Sequence, residues 1–344
     1  MRQAKNKENL EKVFTSIAKS VQPLIEKTLV LYIDKRFQSS VVYPVQSGGK
    51  KLRPVLTVLS CQLFGGNLKD ALFPAAGLEI LHNYSLIIDD IIDNSELRRG
   101  KKTCWAKYGK AIAECLTIDC AAAIFQEAIR SKEPAKTVEL FARAMKVLAE
   151  GEIMDILFEQ AGREKEPYIL KHRYRSITEK DYFEMARKKT ASLLQTCCEA
   201  GALCAGAKKF QIRAIRNYGY YLGVAFQMRD DILDIFGEEK KLGKKIGKDI
   251  EERKGGNIVI YFANQEFSSH ERKEFWQIIR KKRLRPADIK RAIYLIKKTH
   301  AKERAINYSR RLAEKAKARL KLLPKNKYNK LLGEIADLVV ERQK

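Results

Sequence analysis

Residues 70–95 read DALFPAAGLEILHNYSLIIDDIIDNS, and the fold class turns on this stretch. It is strongly apolar with no sustained strand-like alternation, so it reads as a buried helix. Near its end it carries Asp89-Asp90-Ile91-Ile92-Asp93. Helical signals continue on both sides. Residues 8–39 read as one long amphipathic stretch, with Leu10, Val13, Phe14, Ile17, Val21, Leu24 and Ile25 at three- and four-residue steps. Residues 111–130, 137–160, 179–206 and 209–236 continue the pattern, separated by short breakers: SGGK at 47–50, FGGN at 64–67, RRGKK at 98–102 and SKEP at 131–134. No solenoid repeat or Gly/Ser linker interrupts them. The expectation is an all-α bundle of many helices around an apolar centre.

The chain has 344 residues, of which 45% are apolar, with 19 Gly and 8 Pro. That is enough for one large helical core and argues against a β-sandwich or extended disorder. The net charge of +26 implies attraction to something anionic: nucleic acid, a lipid surface or phosphorylated small molecules. Residues 265–344 hold 24 Lys or Arg against 9 Asp or Glu, interleaved with apolar positions at helical spacing. These read as amphipathic helices with solvated basic faces, compatible with transient contact at an anionic membrane surface. Signatures of DNA- or RNA-binding modules are absent, so no nucleic-acid partner is expected. No run approaches the roughly 18 to 20 apolar residues of a membrane span. The charged start shows no secretory signal, and seven cysteines without a CxxC pair suggest free thiols in a reducing cytoplasm.

The acidic pentad recurs. Asp230-Asp231-Ile232-Leu233-Asp234 repeats the DDxxD pattern of Asp89–Asp93 about 140 residues later. On a helix, positions i and i+4 share a face, so Asp89 pairs with Asp93 and Asp230 with Asp234. Like charges at that spacing repel, and two such clusters in apolar helices call for compensation. Hard divalent cations supply it: Mg²⁺ takes a few carboxylates plus waters and phosphate oxygens. Basic residues near the acids suit a diphosphate: Arg98 and Arg99; Lys50, Lys51 and Arg53 beside a Gly pair; Lys188 and Lys189 before Thr190; and Lys244, Lys248 and Lys254.

These residues carry a resemblance. GGKKLRP at 48–54, LHNYSLIIDDIIDNSELRRG at 81–100, KKTASLL at 188–194, FQMRDDILDIFG at 226–237 and LGKKIGKD at 242–249 resemble, in order and spacing, the motifs of the trans-isoprenyl diphosphate synthases, or polyprenyl synthetases. The resemblance covers nearly the whole chain and is closest to short-chain geranylgeranyl diphosphate synthases of the archaeal type. It implies an isoprenoid-synthase-type helical bundle around a central cavity, one domain over 1–344 and a homodimer. It also implies condensation of isopentenyl diphosphate with an allylic diphosphate (dimethylallyl, geranyl or farnesyl). It assigns Asp89, Asp93 and Asp230 as metal ligands, with Asp90, Asp231 and Asp234 supporting, for about three Mg²⁺. Lys50, Arg53, His82 and Arg99 match the isopentenyl diphosphate contacts. Arg98, Lys189, Thr190, Gln227, Lys244 and Lys254 match the allylic contacts.

Product length should follow from the cavity floor below Asp89. Tyr84 lies five residues earlier, roughly 7 to 8 Å along a helix axis, with Ser85 leaving room beside it and Leu81 a turn deeper. An aromatic there can stop a growing tail, and the expected product is geranylgeranyl diphosphate. Farnesyl diphosphate or a longer chain is the alternative product, and a non-catalytic subunit of the same fold the alternative role. The chain departs from the family pattern at Ile88, at Glu152 in Gly151-Glu152-Ile153-Met154-Asp155, and at Gly256-Asn257-Ile258 after Lys254.

Overall fold

Asn67 starts the decisive helix. Its side chain accepts the Asp70 amide at 3.2 Å, and the Asp70 carboxylate accepts the Asn67 amide at 3.0 Å. This reciprocal cap satisfies amides that a helix start leaves without partners. The computed structural model describes residues 2–238 and 246–341, with side chains from residue 8 onward.

In chain order the helices are α1 (Arg2–Leu29), α2 (Gln38–Val42), α3 (Leu52–Leu63), α4 (Leu68–Ile92), α5 (Cys104–Tyr108), α6 (Lys110–Ile129), α7 (Pro134–Leu157), α8 (Pro167–His172) and α9 (Glu179–Ala186). Then follow α10 (Ser192–Cys204), α11 (Lys209–Phe236), α12 (Lys248–Glu251), α13 (Ile258–Glu266), α14 (Ser269–Ile279), α15 (Pro286–Lys297), α16 (Ala301–Leu320) and α17 (Lys327–Glu341). The architecture is all-α, as the periodicity implied.

Three local expectations change. The amphipathic stretch 8–39 is not one helix, because α1 stops at Leu29 and Tyr32 then takes a left-handed backbone with φ of 66°. The breaker at 98–102 is a small antiparallel hairpin, pairing β1 (Leu97–Arg98) with β2 (Lys101–Lys102). Arg99 and Gly100, with φ of 54° and 76°, form its two-residue turn, the geometry that matches strand twist. Stretch 179–206 is broken by a π-helical turn over Arg187–Ala191. A further correction concerns hydropathy. By length and composition α4 is apolar enough to cross a membrane, with mean hydropathy 1.3 over 18 residues. Here 61% of that window is buried inside the fold, because α4 serves as a core helix.

The chain forms two compact units. The first comprises Met1–Lys146, Ser192–Tyr220 and Lys315–Asp337. Its core gathers Ile25 and Leu29 of α1, Leu56 and Leu59 of α3, Leu78 and Ile80 of α4, and Leu194 and Cys197 of α10, all 1% exposed or less. The Tyr218 hydroxyl donates to the Leu332 carbonyl at 2.7 Å and ties the C-terminal helix into this unit. The second comprises Val147–Ala191, Tyr221–Glu314 and Leu338–Lys344. Its core holds Phe158, Tyr182, Met228, Ile235, Val259, Phe275 and Ile296.

Candidate active site

In the first unit the hairpin delivers Arg98 to the first acidic cluster. Arg98 Nε donates to both Asp90 oxygens at 2.9 and 3.0 Å, and its Nη2 reaches Asp89 Oδ2 at 2.8 Å. Burial works against the guanidinium charge, but Asp89 and Asp90 overcome it and raise the pKa. Asp90 is buried, whereas Asp89 and Asp93 are half-buried. Arg99, in the turn, points elsewhere and donates to the Gly48 carbonyl. The hairpin is thus linked to the Gly-Gly loop, where Gly48 and Gly49 take φ of 85° and 124°, values that favour glycine. His82 lies two turns before Asp89. Burial first, then the charges of Arg53, Arg99, Arg98 and Lys51, hold its pKa well below the usual value. A neutral imidazole within a ring of cations can accept a hydrogen bond without adding charge. Lys50, Arg53, His82, Arg98, Arg99 and the Asp89–Asp93 cluster therefore all belong to this unit.

Tyr84 is half-buried on α4, and its phenol pKa is raised by burial and then by Cys120 of α6. The Ser85 hydroxyl donates to the His82 carbonyl at 2.8 Å. Leu81, three residues before Tyr84 on α4, is fully enclosed.

In the second unit, the π-helical turn sets out Lys188, Lys189 and Thr190. Such turns often occur at functional sites. Two glycines make room for this one. A Cβ on Gly151 of α7 would lie 2.2 Å from the Lys189 nitrogen, and one on Gly223 of α11 would lie 2.4 Å from Ala191 Cα. Lys189 Nζ bonds Asp155 Oδ2 at 2.7 Å and Glu152 Oε2 at 2.9 Å. Lys254 Nζ reaches the same Asp155 oxygen at 3.1 Å and Glu252 Oε2 at 2.9 Å. Burial would raise the Asp155 pKa, but the two ammonium groups overcome it and hold the carboxylate below its usual range. Thr190 donates to Gln227, whose Nε2 donates to Asp231 Oδ1 at 2.8 Å. Lys188 turns to Glu150 and Glu184 instead. Lys244 lies outside the described residues.

The second acidic cluster is graded by its partners. Asp231 is buried and also accepts the Ile258 amide at 3.0 Å. Burial and the nearby Asp249 push its pKa above the normal carboxylate range. Asp234 accepts the Lys248 and Asp249 amides at 3.1 and 3.2 Å, at the start of α12. Asp230 is half-buried.

Both clusters lie toward the C-terminal ends of their helices, and neither α4 nor α11 has a basic residue in its last turn. That end of a helix already carries partial negative charge, so repelling carboxylates there favour a cation. Among the described residues, no three His, Cys, Asp or Glu side chains gather into a ready-made cage. The half-buried carboxylates, Asp89 and Asp93 in the first unit and Asp230 in the second, are donors of the kind taken by an ion that keeps waters and phosphate oxygens, as Mg²⁺ does.

The sequence reading gave no role to Asp155, Glu252, Asn257 or Glu79. Asn257 caps α13, accepting the Val259 amide at 2.8 Å, and donates to Asp249 Oδ2 at 2.7 Å. Gly256 packs where a Cβ would meet the Phe158 ring at 2.3 Å. The departure at 256–258 thus supports the second cluster. The signal for Asp155 was in the sequence, four residues after Gly151 in the quoted stretch. That for Glu252 was not, since Lys-rich helices abound in acids.

The sequence profile of the polyprenyl synthetase family matches residues 34–296. The chain is 34% identical over 284 residues to a short chain isoprenyl diphosphate synthase of Methanocaldococcus jannaschii, covering 81% of this chain and 82% of that one. It is 31% identical over 345 residues to a geranylgeranyl diphosphate synthase of Saccharolobus solfataricus, covering 98% and 99%. The crystal structure of a polyprenyl synthase from Caulobacter crescentus, complexed with calcium and isoprenyl diphosphate, superimposes with a TM-score of 0.85 at 29% identity, covering 97% and 98%. The chain therefore belongs to the polyprenyl synthetase family, with the all-α isoprenoid synthase fold, and is a trans-prenyltransferase.

Proposed function

We propose that this enzyme condenses isopentenyl diphosphate with an allylic diphosphate (dimethylallyl, geranyl or farnesyl) to a short-chain all-trans prenyl diphosphate, geranylgeranyl diphosphate being the main product. The observation that carries this reading is the setting of the two acidic helices: Arg98 is bonded to Asp89 and Asp90, and Thr190, linked through Gln227 to Asp231, follows Lys189, which shares Asp155 with Lys254. Asp89, Asp93 and Asp230, supported by Asp90, Asp231 and Asp234, would hold Mg²⁺. When bound, the metal supplies positive charge against the diphosphate that departs.

Arg98, Lys189 and Lys254 bind allylic diphosphate oxygens, with Thr190, Gln227 and Lys244 completing the set. Lys50, Arg53 and Arg99 hold the isopentenyl diphosphate, and neutral His82 orients it. The allylic C–O bond breaks, the isopentenyl double bond attacks the cation, and the proton lost afterwards goes to the released diphosphate. Buried apolar α4 helps keep water from the cation. Tyr84, with Ser85 beside it and Leu81 behind it, forms the floor that stops the chain.

We also propose that the chain works as one catalytic domain and as a homodimer. Support for the dimer comes from the outer face of α6, where Ala111, Cys115, Ile118, Ala122 and Ile129 are exposed at helical spacing. The free thiol state of all seven cysteines fits a reducing cytoplasm. The exposed basic residues among the described positions 265–341 fit transient contact with an anionic membrane.

The test is product analysis with Mg²⁺, labelled isopentenyl diphosphate and each primer. A dominant geranylgeranyl product is expected, lengthened in Tyr84→Ala and lost in Asp89→Ala. A long ladder from the parent would overturn the Tyr84 floor. No product from any primer would overturn the enzyme reading in favour of a non-catalytic subunit.

A further inference from the structure

Six charged side chains alternate along one line in the second unit. Glu152 Oε2 meets Lys189 Nζ at 2.9 Å, and Lys189 meets Asp155 Oδ2 at 2.7 Å. Asp155 meets Lys254 at 3.1 Å, Lys254 meets Glu252 at 2.9 Å, and Glu252 Oε1 meets Lys248 at 2.8 Å. The side chains from Glu152 to Glu252 are only 9–19% exposed, so solvent screens these pairs less than surface ones. Three carboxylates balance three ammonium groups.

The carboxylates differ in what they do. Asp155 bridges Lys189 and Lys254 and so sets their spacing. Glu152 sits three residues earlier, on the same face of α7, and meets Lys189 at 2.9 Å. An ammonium has three donors. Asp155 and Glu152 engage two of those on Lys189, and an arriving diphosphate competes with Glu152 for the same charge. It also meets the repulsion of that carboxylate.

We propose that Glu152 is a positioning residue that weakens the grip of Lys189 on the allylic diphosphate. This rests on the assignment of Lys189 to that substrate. Each condensation leaves a longer allylic diphosphate to be held by the same residues, so a looser grip speeds its release.

The experiment uses the full-length protein with Mg²⁺ and the variants Glu152→Gln, Glu152→Ala and Lys189→Ala. Initial rates are measured against geranyl diphosphate and isopentenyl diphosphate in turn, and calorimetry measures inorganic pyrophosphate binding in Mg²⁺. Both Glu152 variants should lower KM for geranyl diphosphate about two- to fivefold, the scale of one ion pair. KM for isopentenyl diphosphate should hold, and pyrophosphate should bind more tightly by a similar factor. An unchanged or raised geranyl KM in Glu152→Gln, with unchanged or weaker pyrophosphate binding, overturns the proposal, because a merely structural glutamate would give that result. If instead Lys189→Ala leaves the geranyl KM unchanged, the assignment of Lys189 itself fails.

Discussion

Lys50 and Lys51 are neighbours with opposite fates. Lys50 is exposed, while Lys51 is 9% exposed and lies 3.2 Å from Glu79, itself 4% exposed. The left-handed backbone at Lys51, with φ of 51°, makes the swap at the entry to α3. Two adjacent lysines look alike in a sequence, and only the turn decides which is buried. Removing one partner of a buried pair strands the other charge. Lys51→Met should therefore lose about 3–5 kcal/mol of stability, and Lys51→Met with Glu79→Leu should recover most of it. Urea unfolding of both variants checks this; a double variant no more stable than Lys51→Met would overturn it.

At the scale of elements, the helices were legible because apolar residues repeat with the helical period, and α11 spans the same 209–236 that the periodicity marked. The π-helical turn was not, because one extra residue in a turn leaves composition untouched; it follows from the close approach of Gly151 and Gly223. Helix α6 hides another case. Burial alone pushes the Asp119 pKa up to about 6. The folded protein thus favours the neutral carboxyl. Its contribution is fully present below the usual carboxylate pKa near 4 and is lost as pH rises through about 6. Asp119→Asn stays neutral, so its advantage should grow from little at pH 4 to about 1 kcal/mol at pH 8, once solvent screening of this half-exposed group is allowed for. Thermal melts at both pH values test the sign, and a gain confined to low pH would reverse it.

At the scale of the molecule, α6 is apolar on two sides. One is spent in the first unit on Ala113, Leu116, Cys120 and Ile124; the other leaves Ile118 72% and Ile129 59% exposed. If a second copy covers that face, Ile118→Glu should halve the mass seen by light scattering, from about twice 39.5 kDa to one chain. Exposed Cys115 on the same helix should then react faster with a thiol reagent. A parent already at one-chain mass would remove the dimer. By itself the sequence determined the helical class, the two DDxxD clusters and the family, because periodicity and ordered short motifs are properties of the chain as written. Only the tertiary structure decided that Arg98 engages the carboxylates while Arg99 holds the Gly-Gly loop. Only it joined Lys189 and Lys254 through Asp155, and assigned Asp234 to the start of α12. Those choices depend on hairpin geometry and on contacts between residues far apart in the chain, which no local pattern encodes.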